Sequence, residues 1–214
     1  MGIPVLLIGK SGSGKSASMR NFEPGEVGLI NVLGKPLPFR NKLEHYVTDD
    51  YGKIMNAVAK SKTKTIVIDD AGYLITNMFM GGHSAAGAGN AVFALYNNVG
   101  DSFWKLIQFV IRQIPDDRIV YFVMHEEKND FGDIKPKTIG KLLDEKVCLE
   151  GMFTIVLRAV REKGKYVFKT QSDGFDVAKS PMGMFEQAEI ENDLKFVDET
   201  IRKYYEFGGE ADET

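Results

Sequence analysis

The chain is poor in cysteine, carries no excess of basic charge and has no long apolar run. Its 214 residues include one cysteine, Cys148, which excludes an intramolecular disulfide. No Cys/His grouping has zinc spacing, which argues against a structural zinc site. With Val147 and Leu149 on either side, Cys148 reads as a small core residue. No hydrophobic stretch approaches the roughly 20 residues that cross a bilayer, and no charged leader with an apolar stretch opens the sequence. The expectation is a cytoplasmic protein with no membrane partner. Lys and Arg number 27 against 30 Asp and Glu, a formal net charge of -3. That balance excludes a large uniform basic surface, but not a local basic loop.

What is present suffices for a core. Hydrophobic residues make up 43% of the chain, and the length fits one domain with at most an appendage. Residues 3–8 form a continuous apolar run of the kind buried in a parallel sheet. A helix is expected over 15–22, stopped by Pro24 and Gly25, and a second strand over 27–32. Residues 34–38 hold Pro36 and Pro38 and read as a loop. A helix over 51–60 precedes a strand over 65–68 that closes on Asp69 and Asp70. The glycine- and alanine-rich segment 81–89 reads as a mobile loop. Phe103, Leu106, Ile107, Val110 and Ile111 have helical spacing within 90–114. A third core strand is expected over 119–124, a polar loop over 129–137, and a hairpin over 153–160 and 166–170. The final helix is placed at 190–207.

Strand and helix alternate through most of the chain, which implies an α/β class with a mostly parallel central sheet, helices on both faces and a late antiparallel hairpin. The expected division is a core over 1–190, a helix over 191–207 packed on it, and a disordered acidic tail over 208–214.

Gly9, Lys10, Ser11, Gly12, Ser13, Gly14, Lys15 and Ser16 fit G-x-x-x-x-G-K-[ST] in full, between a buried strand and a helix start. Glycines let the backbone wrap closely, so that successive N–H groups face phosphate oxygens. Lys15 is expected to reach the β- and γ-phosphates of ATP and Ser16 to ligate Mg²⁺, with Ala17 completing the nucleotide-binding run. The strand ending in Asp69 places a carboxylate at the tip of a neighbouring strand, where it is expected to hold the hydrated Mg²⁺. Asp70 is the candidate to orient or deprotonate the attacking water, against the bland reading of a cap for the next segment. His125, at the end of the third strand, is the candidate γ-phosphate sensor, with Glu126 and Glu127 following as reserve bases. Lys35 reads as an exposed loop lysine or a group near the nucleotide. Arg158 and Arg161 are candidates for an arginine finger acting across a subunit interface, or solvated hairpin residues.

Together these features resemble the RecA-like P-loop ATPases, and more closely the phage-encoded AAA-family or RecA-like recombination ATPases. The residues carrying the resemblance are the run from Gly9 to Ser16, the Ile68-Asp69-Asp70 strand end, Lys137-Thr138-Ile139-Gly140-Lys141, and the segment from Lys179 to Phe185. The first two are specific for nucleotide binding, the last two weak. The resemblance implies ATP with Mg²⁺, a homo-oligomer assembled around the nucleotide, a host-cytoplasmic location if phage-encoded, and single-stranded DNA binding during recombination. Segment 81–89 and the stretch holding Lys128, Lys135, Lys137 and Lys141 are the places for DNA. RecA itself has a catalytic glutamate after its second strand, whereas this chain reads Asn31-Val32-Leu33-Gly34-Lys35 there, with no acid. An ATPase that remodels a protein partner without DNA, or a small-molecule kinase, also fits the motifs. The absence of arginine from the candidate lid counts against the kinase.

Overall fold

Side chains alternate across a strand, so a strand buried on both faces must be apolar at every position. In β5 this is literal. Val120, Phe122 and Met124 face one core, Ile119, Tyr121 and Val123 the other, and all are almost fully buried. The structure, a computed structural model, describes residues 1–87, 89–129, 131–140 and 142–207, without the side chains of Asp144 and Glu145. The expected tail at 208–214 lies outside the described residues.

The chain runs through β1 (Ile3–Gly9), a 3-10 helix (Ser16–Asn21), β2 (Val27–Asn31), β3 (His45–Val47), α1 (Tyr51–Lys60) and β4 (Thr65–Asp69). Next come α2 (Gly72–Ala86), α3 (Asn90–Gln113), β5 (Ile119–Lys128) and β6 (Ile134–Pro136). A π-helical turn (Leu142–Val147), a 3-10 turn (Leu149–Met152), β7 (Ile155–Glu162), β8 (Lys165–Lys169), β9 (Glu189–Glu191) and α4 (Leu194–Tyr204) complete it. The strands form a nine-stranded sheet in the order β3-β2-β4-β5-β1-β7-β8-β9, with β6 on β5. Pairing is parallel from β3 to β7 and antiparallel at β8, β9 and β6. This is the expected α/β class, with a mostly parallel sheet and antiparallel strands late in the chain.

One face of the sheet is covered by α1, α2 and α3, through Ile54, Leu74, Phe103, Leu106 and Val110. The other is covered by the 3-10 helix through Met19 and by α4 through Leu194, Val197 and Ile201. Buried Asp198 on α4 accepts hydrogen bonds from Thr65 Oγ1 (2.8 Å), Tyr121 Oη (3.1 Å) and Arg202 Nε (2.7 Å). A buried carboxylate is tolerated when paired and hydrogen-bonded in this way, and the network fixes α4 across β4 and β5.

The structure corrects several sequence expectations. β5 lies between β1 and β4, so the strand ending in Asp69 is not the neighbour of the strand entering the Gly-rich loop. The helix expected over 15–22 is a 3-10 helix, because Pro24 leaves too little chain to propagate an α-helix. Segment 81–89 is not a loop throughout, since α2 continues to Ala86. Gly82 there serves packing: a Cβ would meet Leu95 of α3 at 2.7 Å. Residues 129–137 are not all loop either, because β5 outruns its parallel neighbours to Lys128 and its free edge is taken by β6. The last helix begins at Leu194 rather than 190, where Asp193 caps it by accepting from the amides of Lys195 and Phe196. Ahead of it β9 joins the sheet edge on β8. The edge strand β3 carried too few residues to signal itself. Cys148 is exposed rather than buried, at a left-handed bend (φ 48) between two short helical turns, while Leu143 and Leu149 take the core positions.

Candidate functional site

The parallel strands end along one edge of the sheet, the place where open α/β sheets gather their ligand groups. Register aligns Gly9 of β1 with His125 of β5, and Asn31 of β2 with Asp69 of β4. A cleft of about 810 Å³ opens there. Its walls include Ser11, Gly12, Gly14, Lys15, Ser16 and Ala17 from the loop, with Asp70 and His125 opposite.

Gly12 (φ 76) and Gly14 (φ 94) adopt backbone conformations that favour glycine. At Gly14 a Cβ would also meet the Tyr166 ring at 2.9 Å, and at Gly9 one would meet Ser13 Oγ at 2.5 Å and Ala159 O at 2.6 Å. The loop therefore winds more tightly than side chains would permit. Ser13 Oγ is buried with no hydrogen-bond partner, as is Nδ2 of Asn192 beside Gly14. A buried polar atom without a partner costs free energy; Ser13 packs toward Gly9, so the phosphate-facing cradle is the backbone wound around Gly12 and Gly14. The residues present fit a phosphate.

Lys15 is buried and folds back on its own loop, with Nζ donating to Gly9 O and Lys10 O, both at 2.8 Å. Burial lowers its ammonium to about 8, opposed by Asp70 and then Asp69. Ser16 Oγ donates to Asp69 Oδ1 at 3.0 Å. Burial, reinforced by the neighbouring Asp70, raises the Asp69 carboxyl to about 6, against the Ser16 hydrogen bond that lowers it. A hydroxyl beside a carboxylate is a small donor set. It suits Mg²⁺, which keeps several waters and shares its coordination with phosphate oxygens. Among the described residues no group of His, Cys, Asp and Glu forms an all-protein metal cage.

Asp70 is a buried non-glycine residue at φ 60, a sparsely populated conformation of the kind found at functional sites. It does not cap α2, whose N-cap Ala71 makes no side-chain bond. Its carboxylate instead holds Lys35 Nζ at 2.6 Å and lies 3.8 Å from His125 Nε2. Burial, and then the nearby Lys15, hold the His125 imidazole below its usual range, against the pull of Asp70. Tyr73 packs edge-on against His125 with ring centroids 5.9 Å apart.

Other candidates fall outside this group. Arg158 is tied down: its Nε and Nη2 donate to Glu126 at 2.8 and 3.2 Å and its Nη1 to Asp176 at 3.1 Å, so it is not a free arginine finger. Glu126 is thereby engaged as a reserve base, and Glu127 pairs with Lys135 at 3.4 Å. Arg161 is exposed and lies over the Tyr166 ring at 5.3 Å. Lys128 and Lys135 sit on the β5–β6 hairpin, whereas Lys137 lines the cleft. Lys141 lies outside the described residues.

Sequence reasoning gave Lys137, Tyr166 and Tyr73 no place at the cleft. For Lys137 the signal was the weak motif from Lys137 to Lys141: its backbone N–H donates to His125 O at 2.8 Å, which brings the motif alongside β5. Tyr166 comes from the start of β8, in register with Arg161 of β7, and carries no local signature.

A family model described as an AAA domain matches residues 1–182. No curated protein matches the chain. The matched span takes in the Gly-rich loop, both strand-end aspartates, His125, Lys137 and Tyr166.

Proposed function

The chain belongs to the AAA-domain family of P-loop ATPases, and we propose that it binds ATP with Mg²⁺ in the cleft and hydrolyses the γ-phosphate. The observation that carries this reading is the contact of Ser16 with Asp69, residues 53 apart in sequence and 3.0 Å apart in space. A hydroxyl at the end of the phosphate loop and a strand-end carboxylate have little other reason to meet in a buried, raised-pKa arrangement.

In this reading the amides from Gly12 to Ser16 bind phosphate oxygens, and Lys15 exchanges its loop carbonyls for the β- and γ-phosphates. Ser16 and Asp69 hold Mg²⁺, which supplies charge neutralisation on the phosphates. Asp70 takes the proton of the attacking water. The water oxygen bonds to the γ-phosphorus as its bond to the β-bridging oxygen breaks, and that electron pair leaves with ADP. His125, whose imidazole is held below its usual range by burial and then by Lys15, reports the γ-phosphate by a hydrogen bond. Tyr166 offers a flat apolar face beside Gly14 for the nucleotide base.

For a partner we favour single-stranded DNA during recombination of the phage type, held by a homo-oligomer. Supporting this is the β5–β6 hairpin, which presents exposed Lys128 and, at its tip, Phe131 at 91% exposure. A cation and an aromatic ring on one hairpin suit a phosphate and a stacked base. The competing reading, an oligomeric ATPase acting on a protein, is favoured by the pairing of Lys135 with Glu127, which leaves less free basic charge for DNA. Arg161 is the remaining candidate for a finger acting on a neighbouring subunit.

The test is ATP hydrolysis with Mg²⁺ over a range of protein concentrations, with and without single-stranded DNA. Stimulation by DNA supports the first partner. Turnover indifferent to DNA that rises steeply with protein concentration supports the second. No turnover and no nucleotide binding would sink the ATPase reading.

A further inference from the structure

The turn after β2 delivers to the cleft a cation that no motif requires. Gly34 (φ 65) reverses the chain, and buried Asn31 clamps the turn. Asn31 Oδ1 accepts from Gly34 N at 2.8 Å, and its Nδ2 donates to Lys35 O at 2.7 Å. The backbone of Lys35 is thus held, while its side chain is 57% exposed and free to change rotamer. That side chain passes the Tyr73 ring, 5.8 Å from its centroid, and places Nζ 2.6 Å from Asp70 Oδ2.

The cleft needs such a group. Phosphoryl transfer spreads charge over the γ-phosphate oxygens, and a positioned cation there is a recurrent source of rate. Among the described residues no arginine lines the cleft; the cations that do are Lys15, Lys35 and Lys137. Lys15 belongs to the phosphate loop, and Arg158 is committed to Glu126 and Asp176. Among the described residues Lys35 is ion-paired with a single carboxylate, and it has a long stem. A γ-phosphate offers more charge and more acceptor oxygens than that carboxylate, so it competes for the ammonium.

We propose that Lys35 is a γ-phosphate clamp acting within its own subunit. In the nucleotide-free protein it is parked on Asp70. When a nucleoside triphosphate enters, the ammonium moves to the γ-phosphate oxygens, and the Asp70 carboxylate it occupied is left facing the water that attacks. A diphosphate offers no γ-phosphate, so Lys35 stays on Asp70. This assignment rests on the nucleotide reading of the cleft and adds to it the group that distinguishes triphosphate from diphosphate.

The experiment is equilibrium binding of ADP and of the non-hydrolysable β,γ-imido analogue of ATP, each with Mg²⁺, to the wild type, Lys35→Ala and Lys35→Arg. Lys35 is exposed, so both variants should fold. Lys35→Ala should lose about tenfold or more in affinity for the analogue, the scale of one charged hydrogen bond, with ADP affinity unchanged. Lys35→Arg should recover most of the loss. In hydrolysis the alanine variant should lose kcat. An unchanged ratio of analogue to ADP affinity in Lys35→Ala overturns the assignment, and so does an equal loss for both nucleotides. Wild-type protein that binds neither nucleotide overturns the nucleotide reading together with it.

Discussion

Asp69 and Ser16 meet at 3.0 Å although β5 separates the strand that bears the carboxylate from the strand that feeds the hydroxyl. The phosphate loop crosses the end of that intervening strand to make the contact. This geometry leaves a buried carboxylate beside a second one, with consequences that can be measured.

Burial and the adjacent Asp70 raise the Asp69 carboxyl from its ordinary 3.8 to about 6. Between those values the native protein binds a proton more tightly than the unfolded chain. Stability present below about pH 4 is therefore lost as pH rises through about 6. Asp69→Asn keeps the acceptor for Ser16 and has no proton to lose. In urea melts without nucleotide or metal it should match the wild type near pH 4. At pH 7 it should be more stable by on the order of 2–3 kcal/mol. A difference that does not vary with pH would place the raised pKa elsewhere.

Lys15→Ala should abolish hydrolysis and weaken nucleotide binding by about tenfold or more, since a charged hydrogen bond to phosphate is lost. Turnover and equilibrium binding of the purified variant check this. Wild-type turnover would remove the central claim about the loop.

Asp70→Asn should bind nucleotide and hydrolyse it about 10²- to 10⁴-fold more slowly, the range for removing a general base. Single-turnover kinetics separate this from slow release. If the rate is that of the wild type, the proton goes elsewhere, and Glu127, less firmly held than Glu126, is next to be changed.

Asp198→Ala should destabilise the fold by about 3 kcal/mol or more, because Arg202 and Tyr121 lose a buried charged partner. Asp198→Asn should lose less. Chemical denaturation of both variants tests whether α4 is integral to the fold, and a loss below about 0.5 kcal/mol would mean that it docks independently.

Lys128→Ala combined with Phe131→Ala should weaken single-stranded DNA binding and reduce its salt dependence, without changing ATP hydrolysis in the absence of DNA. Fluorescence anisotropy over a salt series reads both. Unaltered DNA binding would move the interface off the β5–β6 hairpin.

Local signals carried much of this protein into view. The unbroken apolar runs of β1, β4 and β5 could only be strands buried on both faces, and the loop from Gly9 to Ser16 needs its glycines for backbone reasons that act within a few residues. Non-local competition explains what stayed hidden. Gly82 looks like a loop residue until Leu95 of α3 packs closely against the place where its Cβ would be. Residues 134–136 look like loop until a strand edge on β5 asks for a partner. Cys148, flanked by apolar residues, points outward because a left-handed bend turns it.

The same division holds at the candidate site. The sequence by itself determined the phosphate loop and the strand-end acids, because each is a short run whose chemistry depends on its immediate neighbours. Only the tertiary structure decided that Arg158 is spent on Glu126 and Asp176, that Lys137 and Tyr166 reach the cleft, and that Lys35 rests on Asp70. Those are pairings of charges and surfaces distant in sequence. They are set by sheet order, register and the direction of turns, and no window along the chain contains that information.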